Sequence, residues 1–210
     1  MTDAKRDREL ESCPEVELRP PASSTWPIVM GVDPGTRMVG YGMIVVAPAG
    51  PRLLTAGVLR VGQRQCISER LGRIREEIDL LITRFHPTVL SIETAFAAQN
   101  VRSALRIGEG RGVVLACGGL KGLEVHEYAP MEIKKSVTGS GAASKEQVAA
   151  LVARTLGSED LGVGLDATDA LAAALTHVFR SRADAILGPN PRRRAGGVAK
   201  LGTTSGTDPK

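Results

Sequence analysis

Aromatic side chains are scarce in this 210-residue chain, with one Trp, two Tyr and three Phe. Its core must therefore be built from Leu, Ile, Val and Ala, and 42% hydrophobic residues is enough for one substantial domain with ragged ends. Cysteine is nearly missing as well. Cys13, Cys66 and Cys117 follow neither a metal-ligand nor a disulfide spacing, and their odd number points to a reduced, cytosolic protein. No apolar run reaches the length that crosses a membrane, and the first 26 residues, polar and of mixed charge, lack the apolar centre of a secretion signal. Internal repeats are absent too. These absences predict a soluble, cytoplasmic protein with no membrane partner.

Charge is present but unevenly placed. Residues 1–20 carry 4 basic and 6 acidic groups, residues 189–210 carry 5 basic and 1 acidic, and the remainder holds 18 and 16. The folded body is thus close to neutral, and the basic surplus sits in the C-terminal tail. Such a surplus suits a polyanionic partner such as nucleic acid, and it equally suits an ordinary solvated surface.

Pattern and punctuation divide the chain into three parts. Residues 1–26, rich in Pro and Glu, read as a disordered extension, and the low-complexity stretch 188–210 reads as a basic flexible tail. Between them, 27–187 reads as the folded domain. Strands are predicted at 27–33, 39–47 and 52–62, the first two joined by a turn at Pro34-Gly35-Thr36. Ile67, Leu71, Ile74, Ile78, Leu81 and Phe85 form one apolar face of a helix over 67–85. A strand at 88–93, a helix at 98–118, a strand at 123–129 and helices at 130–136, 144–156 and 166–182 follow. A meander followed by βαβ units predicts an α/β fold, with a mixed five-stranded sheet covered by helices on both faces.

Four carboxylates stand out by position. Asp33 and Glu93 each close an apolar strand, and Asp166 and Asp169 share one face at the start of the last helix. Parallel neighbouring strands would set Asp33 beside Glu93, and a helix packed across that edge would bring all four together. An oxygen-only set of this kind suits Mg²⁺, or Mn²⁺ in its place, and two such ions about 3.5–4 Å apart serve phosphodiester cleavage. Three of the acids also have an ordinary reading, which Glu93 lacks because neither a cap nor a turn needs it. Asp before Pro-Gly starts turns, and Asp166-x-x-Asp169 resembles a capping box with Asp166 as the N-cap.

The motifs GVDPGTRMVGYG, SIETAFAAQN, SALRIGEGRGV, EYAPMEIKKSVTGSGAASKEQV and DATDALAAALTH, in this order from about Ile28 to Val178, resemble those of the RuvC family. These are crossover (Holliday) junction endodeoxyribonucleases with a ribonuclease-H-like fold. The resemblance implies a homodimer that binds four-way junction DNA and nicks two strands of like polarity in recombination and repair. It implies two Mg²⁺ ions per site and a branch-migration motor as a further partner. Asp33, Glu93, Asp166 and Asp169 fall on the four catalytic, metal-binding acids. Phe96 falls on the aromatic that probes unstacked bases, and Lys134 and Lys145 fall on positions associated with DNA phosphates. By residue type alone, Phe96 also reads as a core aromatic and the two lysines as solvated helix faces. His86, His126 and His177 show no ligand spacing and read as structural.

The chain departs from the family at Gly110, where alanine is usual. A glycine there costs about 1 kcal/mol of helix propensity and either loosens the dimer contact associated with this helix or permits closer packing. Other readings of the same acids are a nuclease acting on precursor ribosomal RNA, a junction-binding protein without catalysis, and an actin-like-fold ATPase. The last calls for a second phosphate-binding hairpin, which the sequence lacks.

Overall fold

The computed structural model describes residues 10–12, 26–62, 65–94 and 101–188. Along the chain run β1 (Leu10–Ser12), β2 (Ile28–Asp33), β3 (Met38–Ala47), β4 (Gly50–Arg60), α1 (Ile67–Phe85), β5 (Val89–Glu93), α2 (Val101–Leu120), β6 (Glu124–Tyr128), α3 (Pro130–Thr138), α4 (Lys145–Thr155) and α5 (Leu165–Leu187). One sheet holds every strand in the order β1-β4-β3-β2-β5-β6. β1 to β4 pair antiparallel, whereas β2, β5 and β6 are parallel neighbours. This is the mixed ribonuclease-H-like sheet that the sequence predicts, extended by a sixth strand. Leu10–Ser12 lie inside the segment read as disordered, yet they pair with Gly57–Leu59 on the outer edge of β4. That edge would otherwise present unpaired backbone N–H and C=O groups, which any extended segment can satisfy whatever its side chains.

Alternation along the strands sorts the core into two layers. Val29 and Val89 face the layer of α3, α4 and α5, whereas Met30, Val32, Leu90 and Ile92 face α1 and α2. Ile74, Ile78 and Ile82 carry the fully buried stripe of α1, and the predicted Leu71, Leu81 and Phe85 pack partly buried against the same core. The last helix is longer than predicted. It continues through Ala183, Ile186 and Leu187 and stops at Gly188, whose φ of 80° suits glycine.

Candidate metal and active site

Period-two alternation places Asp33 on the same sheet face as Val29 and Gly31, and Glu93 on the same face as Val89 and Ser91. The parallel register runs from Val29 beside Val89 to Val32 beside Ile92, so both strands deliver their carboxylates to one edge. Across that face lies α5, unusually close to the strands. A Cβ added at Gly31 would collide with the carbonyl oxygen of Ala170, one at Gly40 with that of Asp166, and one at Gly42 with the Leu171 side chain. Gly31 pairs with Gly42, and Gly40 pairs with Asp33. These glycines form a flat seat on which the helix backbone rests. The Ser91 hydroxyl completes it by donating to the Ala173 carbonyl at 2.6 Å.

Asp166, Asp169, Ala170 and Ala173 follow the i, i+3, i+4, i+7 spacing of one helix stripe. Since Ala170 and Ala173 sit on Gly31 and Ser91, the two aspartates on that stripe reach toward the ends of β2 and β5. The capping-box reading of this pair does not hold. Gly164 is the N-cap, and no side chain caps the helix. The acids are thus left without a structural task in the helix start beyond favourable placement near its positive end.

These groups share an electrostatic field. Burial pushes the Asp33 carboxyl up to about 6, with Asp169 and Asp166 adding to the rise and Lys145 opposing it. Burial likewise pushes Glu93 up to about 7, helped by Asp33 and Asp169 and opposed by Lys145 and Lys134. No hydrogen bond or ion pair among the described residues reaches the carboxylates of Asp33, Glu93 or Asp166. Asp169 is different: its Oδ2 accepts from Lys145 Nζ at 2.8 Å, which raises the lysine above its ordinary value. The donor chemistry fits a hard divalent cation, being carboxylate oxygen without thiol or imidazole. Among the described residues no three His, Cys, Asp or Glu side chains are gathered as a metal-holding group.

Two caps set the lysines. Ala129 and Pro130 start α3, placing Lys134 partly buried on the side that feels Glu93. Ser144 and Gln147 form a reciprocal capping box that fixes Lys145 as the first residue of α4. Phe96 lies outside the described residues.

Several contributors are absent from the motif-based residue set. Gly110 packs against the carbonyl of Gly35, so this glycine lets α2 close on the turn that follows Asp33. The close packing that Gly110 permits here is made within this chain. The neighbouring Arg111 pairs with Glu127 of β6. His177 is buried between Tyr128 Oη, 3.0 Å from its Nδ1, and Ser181 Oγ, 3.0 Å from its Nε2, while burial and nearby His126 lower its pKa to about 4. It bolts α5 to β6 as a neutral structural group. The glycine seat had a signal in the Gly40-x-Gly42 repeat opposite Gly31, whereas the Gly35 contact and the Tyr128–His177 bond had none.

Comparison with known proteins follows the same span. A family model described as "Crossover junction endodeoxyribonuclease RuvC" matches residues 29–177. The RuvC endonuclease of Pelodictyon phaeoclathratiforme is 42% identical over 172 residues, covering 82% of this chain and 90% of its own. That of Chlorobaculum parvum is 46% identical over 153 residues, covering 73% and 82%. Thermus thermophilus RuvC, solved in complex with a Holliday junction substrate, superposes with a TM-score of 0.70 at 34% identity, over 74% of this chain and 95% of that one. The matched span begins within β2 and ends on α5 beyond all four acids, so the chain belongs to the RuvC family of crossover junction endodeoxyribonucleases.

Proposed function

We propose that this member of the family nicks four-way DNA junctions with divalent cations held by Asp33, Glu93, Asp166 and Asp169. The observation that carries this reading is the stripe on α5 that lays two aspartates across the strand ends bearing the other two acids. Their mutual repulsion and burial leave negative charge uncompensated, which a pair of Mg²⁺ ions, or Mn²⁺ in their place, would neutralise. When bound, such ions supply Lewis acidity toward the scissile phosphate and its attacking water. The chain's own part is to hold the carboxylates aimed at one edge, where a bound cation would favour their ionised form, and to present Lys134 and Lys145 to the phosphates beside them. Phe96, three residues beyond Glu93, is assigned to stacking on an unpaired base at the crossover. The tail from 188, net +4 over residues 189–210, adds sequence-blind attraction to the junction arms.

Two coordinated nicks across a two-fold junction call for two related sites, and α2 offers the surface for a homodimer. Val101, Leu105 and Leu120 are 77%, 64% and 78% exposed, and Gly108, Gly112 and Gly119 leave open space beside them. Val101, Leu105, Gly108, Gly112 and Gly119 lie at helical spacing on one outer face, with Leu120 flanking it at the helix end. A branch-migration motor is the further partner implied for this activity in the cytoplasm. No helix among the described residues is long and apolar enough to cross a membrane. Precursor ribosomal RNA and actin-like ATP hydrolysis find no support among the family's relatives. The test is a synthetic four-way junction incubated with the protein and Mg²⁺, beside EDTA and a linear duplex of the same sequence. Paired symmetric nicks confined to the junction are expected. An uncut junction, or a duplex cut equally well, would overturn the assignment.

A further inference from the structure

We propose that Lys145 is an internal counter-ion that a divalent cation must displace from Asp169, so that loading the site frees this lysine for a DNA phosphate. The inference rests on the metal reading above and goes beyond it, because it makes one side chain serve two partners in turn. Lys145 is a cation at the first position of α4, the positive end of a helix, where the macrodipole disfavours it. The Ser144–Gln147 capping box pins the backbone there. The ammonium therefore stands at the acid edge by construction, and the Asp169 carboxylate offsets the unfavourable position. It makes the one ion pair that the four acids form among the described residues. It also opposes the charge of Asp33 and Glu93.

The geometry has an exit. The Lys145 side chain is 57% exposed, while its partner Asp169 is 22% exposed, so the lysine can swing into solvent and the aspartate stays. A lysine is a flexible point charge rather than a rigid fork, which suits exchange between partners. A divalent cation arriving at Asp169 competes directly for the same carboxylate. The freed ammonium then lies beside the place where the scissile strand's phosphates must pass. Metal loading and phosphate binding thus reinforce each other through a single side chain, and linkage makes the effect reciprocal.

The experiment uses the full chain without DNA. Mn²⁺ binding is measured by calorimetry on the wild type, Lys145→Met and Lys135→Met, the last altering an exposed lysine of α3. Lys145→Met should bind Mn²⁺ about two- to fivefold more tightly, as removal of a partly exposed competing ion pair implies, and Lys135→Met should not change. A fixed neighbouring charge would also lower affinity, so the deciding readout is the lysine itself. The Lys145 ammonium signal in NMR, assigned by its loss in Lys145→Met, should change from slowly exchanging and hydrogen-bonded to fast-exchanging as Mg²⁺ saturates. An ammonium still held at saturating Mg²⁺, or Mn²⁺ affinity unchanged in Lys145→Met, would overturn the proposal while leaving the metal site standing. A wild-type chain that binds neither ion would overturn both.

Discussion

On one face of the sheet, α5 rests its backbone on Gly31, Gly40 and Gly42, and alanine is the commonest of its buried residues. On the other face, α1 drives Ile74, Ile78 and Ile82 into a layer with Met30, Met43, Leu90 and Ile92. The second layer gains mainly by apolar burial, at about 1.5–3 kcal/mol for each large side chain. The first gains by close approach, and its surfaces leave no room for added atoms. The difference teaches where chemistry can be mounted. A helix seated against strand backbone cannot slide without collision, so Asp166 and Asp169 stay aimed at the ends of β2 and β5. The α1/α2 layer fixes no such group, and it leaves Val101 and Leu105 exposed on the outer face of α2.

The sharpest break of this contrast is Gly40→Val. Its Cβ meets the Asp166 carbonyl, a backbone atom that cannot turn aside, so overpacking should cost about 3 kcal/mol or more and abolish cleavage. Chemical denaturation and junction cleavage check this together. A stable, active Gly40→Val protein would show that α5 does not need its seat. On the other layer, Leu105→Glu places a charge on the exposed α2 face and should weaken the dimer at least tenfold in sedimentation while leaving Mn²⁺ binding intact. Loss of metal binding with the dimer preserved would reverse the roles given to the two layers.

The smallest effect concerns pH. Asp33 and Glu93 are pushed up to about 6 and about 7, from 3.8 and 4.5. The folded state therefore holds these protons more tightly than the unfolded chain does. Metal-free stability from these groups grows as pH falls through about 7 and 6 toward their ordinary values, and is lost as pH rises again. Thermal unfolding in EDTA should show the wild type losing several degrees more than Asp33→Asn/Glu93→Gln between pH 5.5 and pH 8. Equal losses would place the two carboxyls in a more solvated setting than the one described.

Much of this was legible in the residues. Alternation located β2 and β5 and put a carboxylate at the end of each, and the three-residue spacing put Asp166 and Asp169 on one helix face. What the sequence hid is tertiary. Leu10–Ser12 joins the sheet because β4 has an open edge, a fact about β4 rather than about residues 10–12. Asp166 looked like an N-cap because local spacing cannot reveal that Gly164 begins the helix. The Lys145–Asp169 pair spans 24 positions and joins two helices, so no periodicity reports it. Gly110 carried a propensity penalty in the sequence, and only the contact with Gly35 shows what offsets it.

The most direct test pairs two readouts on the same four proteins, Asp33→Asn, Glu93→Gln, Asp166→Asn and Asp169→Asn. Each is assayed for binding to a synthetic four-way junction and for single-turnover cleavage in Mg²⁺. Binding should be kept or slightly strengthened, since a negative charge facing phosphates has been removed, and cleavage should fall by about three orders of magnitude or more. A neutral variant that binds and cuts at near wild-type rate would contradict the assignment of that acid, and four such variants would remove the metal edge altogether.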